Sequence, residues 1–222
     1  AQAGGQRVVS QRRQPTKVTK ATIERRTSDQ SAPHNAAELI LAITRRVSEP
    51  ADFRRMSAAL CAALQTSLGA ERVSLGWQRR GADPNQPPVV VATSNGETGT
   101  LTPRLRRALI AAMDEACLQQ CTLSNIGELG HNRIDAAQRA LAALGNRTII
   151  SVPLAINQQC IGAICIEMSA ASLPPGSIAT DPKIAGLAQF VEQVLAACTR
   201  LLALAAQTDA PWWHLARARW QR

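Results

Sequence analysis

Tyrosine is missing from this 222-residue chain and phenylalanine occurs only twice, so aromatic side chains make up just 3% of it. A core of stacked rings is excluded. Packing must come from aliphatic side chains and alanine, and at 45% hydrophobic residues there are enough for one main domain with extensions. No uninterrupted apolar run reaches the roughly 18 residues of a membrane span. The first residues are polar, without the apolar stretch of a secretory signal. No Cys-x-x-Cys occurs, and no histidine stands near a cysteine pair at zinc spacing, which removes the common zinc and dithiol motifs.

Six cysteines are present: Cys61, Cys117, Cys121, Cys160, Cys165 and Cys198. Most fall on apolar periodic positions, where cysteine acts as a small hydrophobe. This predicts free thiols and a reducing, cytoplasmic compartment. The net charge of +9 is loaded at the ends. Arg7, Arg12, Arg13, Lys17, Lys20, Arg25 and Arg26 face only Glu24 and Asp29 in the first 35 residues, and Arg217, Arg219 and Arg222 close the chain. Charge placed this way suits an anionic surface, a membrane or a nucleic acid.

Residues 1–34 are polar and basic and read as a disordered arm. Asn35 is positioned to cap a first helix with Ala36, Leu39, Ile40, Ile43 and Val47 at helical spacing, interrupted at Glu49-Pro50. A second helix starts near Asp52, lines one face with Phe53, Met56, Leu60, Leu64 and Leu68, and stops at Gly69. Residues 71–79 alternate as a strand, with Val73, Leu75 and Trp77 on one side and Ser74 and Gly76 on the other. A second strand follows at 89–94. Thr102-Pro103 opens a helix through Leu105, Leu109, Met113 and Cys117, and residues 121–126 form a short strand. Asp135 and Gln138 have capping-box spacing for a helix ending at Gly145. After a Pro/Gly loop, Asp181-Pro182 opens a long helix. Ile184, Leu187, Val191, Val194, Cys198, Leu201 and Ala205 run along it as a heptad stripe that ends at Asp209-Ala210-Pro211.

The stretch 147–168 is the most distinctive. A β-rich run, 148–156, carries Pro153, which belongs at an edge or bulge because it has no N–H. A hairpin-length connection, Asn157-Gln158-Gln159, leads into a second run, 160–168, carrying Gly162. Ser151-Val152-Pro153-Leu154, Ile161-Gly162 and the closing Glu167 resemble the last hairpin of GAF domains. The element order α-α-β-β-α-β-α-β-β-α over residues 35–207 is similar to theirs too. The resemblance implies an α+β fold: an antiparallel sheet of five to six strands, the terminal helices on one face and short helices on the other. It implies a domain that senses small molecules and dimerises rather than catalyses.

A GAF pocket projected here draws on Ser74 or Trp77, Asn95, Ser124, Asn125, His131, Arg133, Arg147 and Ser151. Arg133 and Arg147 would hold a phosphate or carboxylate through paired hydrogen bonds, while Asn95, Ser124 and Asn125 would read polar edges. The cyclic-nucleotide and bilin patterns of the family are absent, so the cofactor is unknown. The long-helix stripe, Ile184, Leu187, Val191, Val194 and Leu201, is the expected homodimer contact. The tail, 208–222, with Trp212, Trp213 and Trp220 among arginines, has the composition of a membrane interface, as if a membrane span followed Arg222. That arrangement resembles bacterial membrane-fusion secretion adaptors and places the chain at the inner face of a membrane. Two alternatives stand beside this reading. One is a nucleic-acid-associated regulator using the basic arm, without stacking aromatics or a recognition helix and so without sequence specificity. The other is a thiol reductase of the GAF type, using Cys117 or Cys121.

Overall fold

Local signals set most element ends. Helix α1 spans 36–48. Helix α2, Phe53–Leu68, is capped by the Asp52 carboxylate, which accepts from the Arg55 N–H at 2.8 Å, and ends on Gly69 in the left-handed conformation. Helix α3, Pro103–Gln119, starts with Thr102 as cap and proline at its first position. Helices α4, Ala136–Ala142, and α5, Pro182–Thr208, complete the set. Strands β1 (Arg72–Trp77), β2 (Val89–Thr93), β3 (Leu123–Ser124), β4 (Arg147–Ile156) and β5 (Gln159–Ser169) form one antiparallel sheet in the order β2-β1-β5-β4-β3. This computed structural model describes residues 36–78, 86–96, 98–126, 134–169 and 182–209, with only the backbone of 182–184. The expected cap Asn35, the basic arm and the tryptophan tail lie outside them.

The β4–β5 hairpin turns on Asn157 and Gln158, both at positive φ, as a two-residue turn matched to strand twist requires. Gln159 belongs to β5 rather than to the turn. Pro153 sits where an edge is available: among the described residues β3 pairs with β4 at Ile150 and Ser151, and no described strand pairs with β4 on that side at Pro153.

The pleat sorts side chains into two layers. Val73 and Leu75, Ile150, Val152 and Leu154, and Ile164 and Ile166 meet Leu60 and Leu64 of α2 and Val191, Val194, Cys198 and Leu202 of α5. On the opposite face Ile149, Ala163 and Cys165 meet Leu109 and Met113 of α3 and Leu141 of α4. The terminal helices thus share one face and the middle helices the other, as the GAF resemblance implied.

By length and composition α5 is apolar enough to cross a membrane. Yet Val191, Val194, Cys198 and Leu202 are completely buried within the chain itself. That consumes the middle of the stripe expected to face a second protomer. Leu187 and Leu201 remain partly exposed, and Leu204 is 61% exposed.

Candidate functional site

The face of the sheet under α3 and α4 carries an unusual share of polar groups. The pleat points Arg72 and Ser74 of β1, Arg147 and Ser151 of β4, and Glu167 of β5 to this side, opposite the aliphatic layer. Glu167 is only 1% exposed. Its carboxylate accepts from Arg72 Nη2 at 2.6 Å and from Arg147 Nη1 at 2.7 Å. Arg147 Nε also lies 2.7 Å from the Glu71 carboxylate, an ion pair without hydrogen-bond alignment. Burial lowers the Arg147 pKa, but the hydrogen bond and charge of Glu167, together with Glu71, outweigh it and hold the guanidinium above its ordinary value. Two cations face two anions, so the cluster is neutral and both guanidinium groups are already partnered.

One step along the strands, Ser74 and Thr93 stand directly opposite each other on β1 and β2. Both are buried, and neither Ser74 Oγ nor Thr93 Oγ1 has a hydrogen-bond partner among the described residues. An unsatisfied buried hydroxyl costs about 1–3 kcal/mol, and alanine or valine would avoid it. Further along, Ser151 Oγ donates to Gln138 Oε1 at 2.9 Å, and Gln138 Nε2 donates to the Ala112 carbonyl at 2.7 Å. This fully buried chain ties β4, α4 and α3 together.

The capping-box expectation at Asp135 is corrected here. Asp135 makes no capping hydrogen bond, and Gln138 points into the core instead of back to the helix start. The α4 amides of Ala137 and Gln138 donate to the Glu115 carboxylate of α3, at 3.1 and 3.3 Å. A glutamine needed by Ser151 cannot also close a local box.

The projected pocket residues divide. Ser151 and Arg147 lie on the middle-helix face, with the partners given above. Of the alternatives Ser74 and Trp77, Ser74 lies on this face. Trp77 faces the terminal helices, edge-on to Phe53 at 5.0 Å between ring centroids. Asn95 joins the α2–β1 corner, donating to the Glu71 carbonyl and accepting from Gln65 Nε2. Ser124 Oγ accepts from the Ile126 N–H. Asn125 extends the β3–β4 ladder with its side chain, accepting from the Ile149 N–H at 2.6 Å and donating to the Arg147 carbonyl. His131 and Arg133 lie outside the described residues. Thr93 and Glu167 were missed as site residues. Thr93, the last β2 residue, could have been found by pairing it with Ser74 across the strands. Among the described residues no three metal-ligating side chains gather.

No family model matches the sequence, and no curated protein matches it either. Solved structures do. The GAF domain of an Acinetobacter phosphoenolpyruvate-protein phosphotransferase superposes with a TM-score of 0.53 at 8% identity, over 79% of this chain and 96% of that domain. The A. aeolicus nlh2 GAF domain in an inactive state superposes with the same score at 13% identity, over 76% and 96%. At such identities the likeness speaks for the fold, and the chain has the GAF fold.

Proposed function

We propose that this chain is a cytoplasmic sensory or regulatory GAF domain that binds a small polar molecule on the middle-helix face. The buried, unpartnered hydroxyl pair Ser74–Thr93 carries the reading. A purely structural sheet gains nothing from two costly hydroxyls there, whereas a ligand with hydrogen-bonding groups would satisfy both. The neutral Arg72–Glu167–Arg147–Glu71 cluster beside them favours an uncharged or zwitterionic ligand over a bare phosphate. A metabolite panel screened by thermal shift tests this. The native chain is expected to gain stability with at least one compound. The Ser74→Ala/Thr93→Val double variant is expected to be more stable than the native chain without ligand, because both unpaired hydroxyls are removed, and to lose the gain from the compound. A variant that retains the full shift overturns the reading.

Signal output would run through α5. The half-exposed Leu187 and Leu201 and the exposed Leu204 on α5, with Leu39 and Leu41 on α1, support a homodimer contact revised from the buried part of the stripe. The tryptophan-arginine composition of 212–222 supports attachment to a membrane transport or secretion protein. Liposome co-sedimentation of the whole chain and of a version ending at Gln207 separates the possibilities. Binding lost on truncation supports the attachment, and binding unchanged by truncation contradicts it.

A further inference from the structure

Cys117 lies in the last turn of α3, and Cys160 is the second residue of β5. The fold brings their sulfurs together: each Sγ lies 3.2 Å from the same acceptor, the Gly162 carbonyl oxygen. The two thiols therefore converge on one carbonyl oxygen from separate elements. Both line an open cleft of about 280 Å³ with Gln78, Asp114, Gln120 and Asn157. Cys117 is 5% exposed and Cys160 more so, which lets a small solute meet Cys160 first.

The shared setting makes the two thiols unequal. The neighbouring Cys160 thiol, then burial and the nearby Asp114 carboxylate, push Cys117 well above the ordinary thiol range. The Cys117 thiol, with the Gly162 carbonyl, pulls Cys160 down against burial and Asp114. Cys160, the more exposed of the two in the cleft, is the nucleophile, and the buried Cys117 is the resolving thiol. Cys61, Cys165 and Cys198 are buried away from this cleft, and Cys121 is a partly exposed thiol outside the pair.

We propose that Cys117 and Cys160 form an oxidant-responsive dithiol site that takes small hydroperoxides and closes to an intramolecular disulfide. The Cys160 sulfur attacks the outer peroxide oxygen. An S–O bond forms, the O–O bond breaks, and the leaving oxygen takes up a proton to depart as alcohol or water. The Cys117 sulfur then displaces the hydroxyl from the resulting sulfenic acid. The S–S bond forms, the S–O bond breaks, and the hydroxyl leaves with the Cys117 proton as water. Two electrons pass from the thiol pair to the peroxide, and a small dithiol restores the pair by exchange. The bond pins the C-terminal turn of α3 to the start of β5. It involves neither Ser74 nor Thr93, so it stands or falls apart from the ligand reading.

The experiment treats the fully reduced whole chain with hydrogen peroxide, alkylates the remaining thiols and maps peptides by mass. A linked Cys117–Cys160 peptide is expected, forming at least about tenfold faster than any oxidation of Cys121. In Cys117→Ser the Cys160 sulfenic acid should be trapped by a 1,3-dione with no linked peptide. Cys160→Ser should leave Cys117 unreacted, and Cys121→Ser should oxidise as the native chain does. A link through Cys121, a Cys160 sulfenic acid that never closes in the native chain, or oxidation no faster than that of Cys121 overturns the proposal. The native-chain map decides the matter even where a serine variant fails to fold.

Discussion

Two glycines show how far single atoms matter in this sheet. A Cβ on Gly162 would stand 2.2 Å from the Gly76 carbonyl oxygen, a backbone atom held by the β1–β5 ladder. A Cβ on Gly76 would meet Met113 Sδ at 2.5 Å and Pro88 Cβ at 3.2 Å, and the sulfur is the movable end of a flexible side chain. Gly162→Ala is therefore expected to cost more than about 3 kcal/mol or prevent folding, and Gly76→Ala about 1–2 kcal/mol. Urea unfolding of both variants checks the order, and equal costs would contradict the account. The same scale explains why the projected pocket asparagines serve the scaffold. Asn95 and Asn125 carry both a donor and an acceptor, and at strand ends each finds a backbone amide or carbonyl left over by its neighbours.

Element starts were legible where the cap is local and hidden where it is not. Asp52 and Thr102 cap their own helices three residues on, a signal contained in a four-residue window. The Asp135–Gln138 spacing looked the same, yet α4 is capped by Glu115 from the neighbouring helix. Glu115→Ala is expected to lose about 1–2 kcal/mol, since it strips a charged acceptor from two helix amides. Asp135→Ala should lose no more than about 0.5 kcal/mol, because its partner Arg139 is 67% exposed. Chemical denaturation of the pair tests this, and the reverse order would restore the local box.

At the scale of the molecule, the aliphatic core is interspersed with thiols, and this ties stability to alkaline pH. Burial pushes Cys61 from 9.0 up to about 12; burial, then Glu167, does the same to Cys165. Between those values the unfolded chain sheds protons that the native chain keeps. The stabilisation is complete below pH 9.0 and is lost as pH rises toward 12. Each thiol contributes up to about 1.4 kcal/mol per pH unit in that window. Urea midpoints should fall steadily from about pH 9 to about pH 10.5, and more gently in Cys61→Ala. A variant with the same slope as the native chain would contradict the assignment.

Element order, the α2 and α3 caps and the β4–β5 hairpin followed from the sequence alone. Helix periodicity, strand alternation and turn chemistry are written within a few residues of each other, and the GAF-like order they spell is the order observed. The tertiary structure decided what depends on the sheet order β2-β1-β5-β4-β3. It turned Trp77 away from the middle helices and buried Val191 and Val194 instead of leaving them for a partner. It closed Arg72 and Arg147 on Glu167, faced Ser74 with Thr93, and set Cys117 against Cys160. These groups stand far apart in the chain, and only the packing of strands and helices brings them side by side.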